Sequence, residues 1–151
     1  MPILEILRSG LATHSGAETI DIGKSLASEL PENSILTLEG DLGAGKTTLV
    51  KGLALGFEIE ETVTSPTFNI FNYYPSRNGK SALLHMDAYR LEGDPNMVDE
   101  LMLEDFMKPP YCLAIEWPKM LGPLPWKPTL ELVFSIEPPG THLIRAIQGS
   151  G

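Results

Sequence analysis

The sequence predicts a single α/β domain of three layers, with a central mixed β-sheet and a β-hairpin at its carboxyl end. Three observations indicate this fold class. An apolar strand at 35–39 runs through a glycine-rich turn into a helix, and turn residues separate two strands between 68 and 87. An alternating strand at 129–136 is followed by a turn and a returning strand at 142–147. A strand–turn–helix unit followed by hairpins is typical of a sheet that contains both parallel and antiparallel strands.

The composition fits one compact domain formed by residues 1–151. Cys112 is the only cysteine, so the chain can form neither an internal disulfide nor a multi-cysteine metal site. A net charge of -9, with arginines scattered along the chain, argues against strong direct binding to nucleic acid, which needs a basic patch. The first residues lack the features of a signal peptide, and no apolar run approaches the ~20 residues that span a membrane. We therefore expect a cytoplasmic protein.

The amino-terminal part predicts a strand or arm followed by a helix. Residues 3–7 form a short apolar run, which indicates a strand or an extended arm. Ser15 and Glu18 have the spacing of a capping box, which predicts a helix that continues to about residue 30. The apolar residues expected on its inner face are Ile20, Ala27 and Leu30.

The later elements alternate between strands and helices. The strand at 35–39 is followed by a helix at 46–55, which Gly56 closes. Turn residues at 76–80 predict an antiparallel pair of strands around them. The other predicted elements are strands at 68–74, 81–87, 111–115, 129–136 and 142–147, and a helix at 94–108. In the strand at 129–136, alternation places four apolar residues on one face, namely Leu130, Leu132, Phe134 and Ile136.

The glycine-rich turn matches the phosphate-binding pattern G-x-x-x-x-G-K-[S/T] at every position. The matching residues are Gly40, Asp41, Leu42, Gly43, Ala44, Gly45, Lys46 and Thr47. Because the turn joins a strand to a helix, its N–H groups and the helix dipole should face a bound phosphate. We expect Lys46 to reach the β- and γ-phosphates, Thr47 to ligate Mg²⁺, and Thr48 to lie near the α-phosphate. The pattern predicts a P-loop NTPase-like domain that binds ATP with Mg²⁺.

Two acidic residues end apolar strands at the edge of the sheet where such folds bind ligands. Asp87 ends the strand at 81–87, and Glu116 follows the strand at 111–115. Asp87 resembles the acid of a Walker B segment, which holds Mg²⁺ directly or through water, and Glu116 is suited to complete the metal shell or orient the attacking water. The alternative for each is a solvated side chain at the start of a loop. The P-loop favours the functional interpretation, with Lys46, Asp87 and Glu116 as the catalytic set.

Three further side chains are secondary candidates. Thr67 follows Pro66 between the P-loop helix and Asp87, where a hydroxyl can sense the γ-phosphate; the alternative is a plain turn. His85 shares a strand face with Asp87 and is either a partner of the site or a core histidine. Arg90 is either an arginine finger or the partner of a nearby acid.

Four segments of the chain together resemble one family. They are residues 38–48, 65–68, 85–91 and 115–118. In this order and spacing they look like the TsaE (YjeE) family, the ATPase subunit for threonylcarbamoyladenosine synthesis on tRNA. The resemblance extends from about residue 15 to residue 147. The P-loop alone is unspecific, whereas the His-x-Asp-x-Tyr-Arg-Leu and Glu-Trp-Pro segments are specific to the family.

The roles implied by this resemblance agree with the predictions from the residues. The site residues that match the family's motifs are Lys46, Thr47, Thr67, Asp87, Glu116 and Trp117. Glu116 matches the essential glutamate near Mg²⁺, and Trp117 would pack beside the nucleotide. The resemblance also implies two partners, TsaD and TsaB, which transfer the threonylcarbamoyl group to an adenosine of tRNA. Hydrolysis of ATP by the small subunit would reset that assembly between rounds.

Other functions are compatible with a P-loop. A small-metabolite kinase usually closes an arginine-rich lid over the phosphate, and the sequence has no arginine cluster. A GTPase would carry an Asn/Thr-Lys-x-Asp segment for guanine, which the sequence lacks. A nucleotide-gated binding module with incidental hydrolysis needs the same site as an ATPase, so the sequence does not separate the two.

No motif identifies the adenine pocket, for which the start of the first predicted helix and the C-terminal hairpin are candidates. The methionine-rich segment 97–107 is either a partner-docking surface or a source of core side chains.

Overall fold

The computed structural model describes residues 2–40, 45–64, 66, 71–76, 79–88, 103–121, 124, 126–138 and 140–147. Its helices are α1 (Ile3–Ser9), α2 (Gly16–Glu29) and α3 (Lys46–Gly56), with short 3₁₀ helices at Leu103–Asp105 and Pro118–Leu121. Its strands are β1 (Leu11–Thr13), β2 (Ser34–Gly40), β3 (Phe71–Tyr74), β4 (Ala82–Asp87), β5 (Tyr111–Glu116), β6 (Leu130–Glu137) and β7 (Thr141–Ile147). Within the described ranges, none of the helices has both the length and the apolar character of a membrane span.

The strands form one seven-stranded mixed sheet in the order β1-β7-β6-β2-β5-β4-β3. The central strands β6, β2, β5 and β4 are parallel, and the outer pairs β1–β7, β6–β7 and β3–β4 are antiparallel. The predicted mixed sheet, the antiparallel β3–β4 pair and the C-terminal hairpin are confirmed. Because β2, β4 and β5 run in the same direction, their carboxyl ends meet at one edge, where a P-loop fold binds its ligand.

Each face of the sheet is covered by its own layer, which confirms the predicted three-layer fold. Helices α1 to α3 pack on one face, where buried residues such as Leu36 of β2 and Leu53 of α3 form the larger core cluster. The other face has a second cluster that includes Leu84 and Leu113. Leu103 and the partly buried Trp126 cover this face. His85 and Glu116 alternate with Leu84 and Leu113, and so they point toward the helical layer.

Glycine residues bring α2 and α3 into direct backbone contact. A Cβ atom on Gly52 would lie 2.2 Å from the carbonyl oxygen of Ile20, and one on Gly23 would lie 2.3 Å from that of Leu49. No other residue fits at either position without moving the helices apart, because real Cβ atoms do not approach backbone atoms this closely. This contact fixes the start of α2 beside the start of α3, whose first residue is Lys46.

The amino-terminal prediction is wrong, since residues 3–7 belong to helix α1 and not to a strand or arm. The N–H groups of Ile3 and Leu4 donate to the carboxylate of Glu29, at 2.7 and 3.2 Å. Glu29 thus satisfies amides that a helix start leaves without partners. Leu7 is completely buried, which anchors α1 on the core. The strand in this region is β1, which pairs with β7 at the edge of the sheet.

The apolar faces of α2 and β6 differ in part from prediction. Ser15 caps α2 as expected, accepting a hydrogen bond from the Glu18 N–H at 3.2 Å. The buried apolar residues of α2 are Ile22, Leu26 and Ala27, whereas Ile20 and Leu30 are only half-buried. On β6, Leu130, Leu132 and Phe134 are buried as predicted, but Ile136 is 44% exposed. The predicted helix at 94–108 lies mostly outside the described residues, and its described end forms a 3₁₀ turn followed by non-helical residues.

Burial sets the chemistry of the single cysteine. Cys112 lies on the central strand β5 and is almost completely buried in the larger core cluster. Desolvation by burial raises the pKa of its thiol to about 12. The thiol therefore stays protonated at neutral pH, and we assign Cys112 to the core and not to chemistry.

Candidate nucleotide site

Lys46 lies at the junction between the P-loop and α3. It is the first residue of the helix, and it follows Gly45, whose φ of 103° places it in the left-handed region that favours glycine. Lys46 is buried, with 4% of the residue exposed. Its ammonium donates to the carbonyl oxygen of Gly40 at 2.5 Å and lies 3.9 Å from the centre of the Trp117 ring. A buried ammonium is costly unless polar groups surround it. These contacts hold a positive charge at the start of α3, where a phosphate would bind.

Trp117 has a backbone conformation that bulky residues rarely adopt. Its φ is 59°, in the left-handed region, and its N–H donates to the carbonyl oxygen of Leu38 at 3.1 Å. Such conformations cost about 1–3 kcal/mol and cluster at functional sites. Here the conformation places the indole ring against the ammonium of Lys46.

Gly40 ends β2 at a point where a side chain has no space. Its φ is 145°, and a Cβ atom there would lie 2.2 Å from the carbonyl oxygen of Phe134 on β6. The neighbouring strand therefore requires glycine as the first residue of the P-loop. The next four residues of the motif, Asp41, Leu42, Gly43 and Ala44, lie outside the described residues, as do Thr67 and Arg90.

Glu116 is the centre of a buried hydrogen-bond cluster. Its Oε2 atom accepts from the Thr47 hydroxyl at 2.8 Å and lies 2.5 Å from Nε2 of His85. His85 has no exposed surface and Glu116 is 3% exposed. Asp87 is the register partner of Glu116 across the parallel β4–β5 pair. The structure thus brings both predicted strand-end acids to the start of α3.

These residues line one cavity of about 240 Å³ at the carboxyl ends of the central strands. Its described walls are formed by Gly16, Thr19, Gly45, Lys46, Thr47, Thr48, Asp87, Glu116, Trp117 and His142. Gly16 and Thr19 belong to the start of α2, and His142 belongs to β7. No sequence motif includes these three residues. Only their places in the chain, at the start of the predicted helix and in the hairpin, pointed to them as candidates for the adenine pocket.

The donor atoms around the cavity fit a hard cation held together with phosphate. The Thr47 hydroxyl and the carboxylates of Asp87 and Glu116 are oxygen donors, which Mg²⁺ prefers. Mg²⁺ usually binds to one or two carboxylates and keeps several waters and phosphate oxygens as its other ligands. Among the described residues there is no cluster of three or more His, Cys, Asp or Glu side chains arranged to hold a metal. Because Mg²⁺ needs few protein ligands when phosphate oxygens and waters supply the others, the oxygen donors of this cavity suit Mg²⁺ bound with a nucleotide.

Comparison with known proteins decides the family. Residues 13–142 match the family described as threonylcarbamoyl adenosine biosynthesis protein TsaE. The chain belongs to the TsaE family. This membership confirms the resemblance that the four motif segments indicated.

Individual TsaE proteins are similar over most of this chain. The tRNA threonylcarbamoyladenosine biosynthesis protein TsaE of a Nostoc species is 44% identical over 115 residues, which are 74% of this chain and 67% of that protein. The protein of the same name from a Synechocystis species is 45% identical over 107 residues, which are 68% of this chain and 66% of that protein. The matched stretches thus span about two thirds of the length of these TsaE relatives.

The fold also matches a solved structure. The crystal structure of Bacillus subtilis YdiB superposes with a TM-score of 0.72 at 33% sequence identity. The match covers 94% of this chain and 85% of YdiB. Since the superposition includes nearly the whole chain, the similarity to YdiB covers the α/β fold as a whole and not only the four motif segments.

Proposed function

We propose that the chain is the ATP-hydrolysing subunit of tRNA threonylcarbamoyladenosine biosynthesis, acting as a single domain with TsaD and TsaB in the cytoplasm. One observation carries the proposal, namely the convergence of Lys46, Thr47, Asp87 and Glu116 on one cavity. Membership of the TsaE family, whose relatives are named for this modification, supports the assignment to tRNA.

Lys46 supplies the positive charge for the phosphates. The Gly40 carbonyl and the Trp117 ring hold its ammonium at the cavity, so little further desolvation is needed when a phosphate binds. A hydrogen bond to a charged group is worth about 1.5–3 kcal/mol. The triphosphate end of the nucleotide belongs at this side of the cavity, with Thr48 and the P-loop amides around it.

Three side chains bind the metal and orient the attacking water, namely those of Thr47, Asp87 and Glu116. Mg²⁺ bound here would neutralise charge that develops on the phosphates. Thr47 and Asp87 present oxygens that can ligate it directly or through water. Glu116 is held by Thr47 and His85 through Oε2 and lines the cavity, so its carboxylate is suited to complete the metal shell or to orient water.

The base of the nucleotide belongs between α2 and the C-terminal hairpin. Gly16 and Thr19 form one wall there, and His142 forms the other. Ile136 is the register partner of His142 and is exposed on the same face, which extends the wall with apolar surface. A flat base can pack against the imidazole and this apolar side chain.

Replacing His142 by alanine should weaken ATP binding by roughly 5- to 150-fold, because stacking on an aromatic ring contributes ~1–3 kcal/mol per base. Binding of inorganic triphosphate, which has no base, should change little. Calorimetric titrations with both ligands measure the difference. The exposed His14 lies outside the cavity, and His14→Ala provides the control. An equal loss for ATP and triphosphate would place the base elsewhere.

The direct test of the proposed function is ATP hydrolysis by the purified chain with Mg²⁺, alone and with TsaD and TsaB from the same source. Stimulation by the pair is expected. Lys46→Ala should abolish it and weaken ATP binding at least about 10-fold, because a charge-assisted hydrogen bond is lost. Lys51→Ala changes an exposed lysine of the same helix and should have no effect.

Each other outcome of this assay corrects a specific part of the proposal. A rate of ATP hydrolysis that does not change when TsaD and TsaB are added would support the ATPase activity and contradict the proposed partners. Transfer of phosphate to a small acceptor, and not to water, would indicate a kinase. No hydrolysis under any condition, with ATP bound normally, would leave a nucleotide-gated binding module.

A further inference from the structure

His85 is a buried histidine whose two ring nitrogens differ in their surroundings. Nε2 lies 2.5 Å from Oε2 of Glu116, within the β4–β5 register that places the two strands side by side. Nδ1 is also buried and has no hydrogen-bond partner among the described residues. The imidazole thus makes one polar contact, and that contact is to the carboxylate at the centre of the site.

This asymmetry fixes the direction of the hydrogen bond. An ionised carboxylate only accepts hydrogen bonds, so Nε2 has to carry a proton for the contact to be favourable. With the ring proton on Nε2, Nδ1 is left as an acceptor, and no second N–H is buried without a partner. His85 therefore acts as a donor to Glu116.

Both donors to Glu116 end on the same oxygen. Thr47 and His85 approach Oε2, whereas no described residue donates a hydrogen bond to Oε1. Two donors on one oxygen restrict rotation of the carboxylate about the Cγ–Cδ bond of Glu116. The second carboxylate oxygen is left available to the cavity that Glu116 lines. Thr47 lies on α3 and His85 on β4, so the carboxylate is held between the helical layer and the sheet.

We propose that His85 is a positioning residue that orients the Glu116 carboxylate for its work on the metal or on water. The inference rests on the proposed function, because it assigns His85 a part in turnover. Groups that orient a carboxylate of this kind commonly affect activity by roughly 10- to 100-fold when removed. Since His85 does not line the cavity, its effect falls on turnover and not on nucleotide binding.

Three substitutions separate positioning from simple packing. His85→Gln places an amide N–H₂ where imidazole Nε2 lies, His85→Asn places one where Nδ1 lies, and His85→Leu fills the space without a donor. We expect kcat for ATP to fall roughly 10- to 100-fold in the Asn and Leu variants, with KM little changed, and to recover largely in the Gln variant. Thermal unfolding of each variant checks that it is folded.

The outcomes of this experiment test His85 separately from the proposed function. If the unmodified chain, with its partners, hydrolyses no ATP, the proposed function fails whatever His85 does. If it turns over and the Gln variant is as slow as the Asn and Leu variants, or if all three match the unmodified chain, His85 has no positioning role.

A second readout does not depend on activity. In protein labelled with ¹⁵N-histidine, the nitrogen shifts of His85 should show a proton on Nε2. Replacing Glu116 by alanine removes the acceptor and should shift that Nε2 signal. An unprotonated Nε2 in the unmodified chain would overturn the inference.

Discussion

Replacing Glu116 by glutamine should lower ATP turnover by roughly 10²- to 10⁴-fold, the range that a positioned general base contributes. Glutamine keeps the size of the side chain, and its carbonyl oxygen can still accept from Thr47 and His85. Only the negative charge facing the cavity is lost, and that charge is needed most when the metal or the attacking water has to be held in the transition state. ATP binding should therefore change much less than turnover.

Steady-state hydrolysis and a nucleotide titration on the same preparation measure the two effects. Glu39→Gln is the matched control, since Glu39 also lies at a strand end next to the P-loop. Its carboxylate faces away from the cavity and pairs with Lys119 at 3.4 Å. Turnover by this variant should stay close to normal. Equal losses of binding and turnover in Glu116→Gln would mean that Glu116 acts in the ground state, for example as an essential ligand for nucleotide-bound metal.

Gly52→Ala should lower the free energy of unfolding by about 3 kcal/mol, at the upper end of the usual cost of overpacking. The new methyl group would lie 2.2 Å from the backbone oxygen of Ile20, which no side-chain rotation can relieve. Gly23→Ala on the facing helix should have a similar cost, with its methyl group 2.3 Å from the oxygen of Leu49. For a domain of this size the melting temperature should fall by roughly 6–12 °C.

Thermal and urea unfolding followed by circular dichroism test this expectation. Gly16→Ala makes the same change at the first residue of α2, where the nearest atom to the new methyl group is a Thr48 side-chain carbon at 3.9 Å. That variant should keep its stability or gain a little, because alanine favours helices over glycine. If Gly52→Ala melts at the same temperature as Gly16→Ala, the two helices are not in the close contact described.

The features predicted correctly from sequence are those that neighbouring residues encode. The order of β2 and α3, the Ser15 cap and the two antiparallel strand pairs each need only a few consecutive residues, and the strand direction they imply brings Asp87 and Glu116 to one edge. The two strand-end acids and Lys46 of the candidate site therefore followed from the sequence. Whether these residues perform the proposed chemistry stays a prediction.

The features that sequence reasoning missed depend on contacts between distant parts of the chain. Helix α1 begins where it does because Glu29, at the far end of α2, accepts from its first amides. His142 reaches the cavity because the hairpin lies beside β2, and no local pattern shows this. The pairing of His85 with Glu116 joins residues that are 31 positions apart, and so the sequence could not distinguish a site partner from a core histidine.

The glycine contact between α2 and α3 has a consequence for how the surface of this chain can be changed. At one side of the cavity, the distance between α2 and α3 is set by main-chain atoms and not by side chains. These atoms belong to Ile20, Gly23, Leu49 and Gly52. Substitutions elsewhere on these helices can change the outer surface while the distance between Gly16 and Thr48 stays the same. The main-chain contact thus makes the width of the cavity independent of the side chains exposed on these two helices.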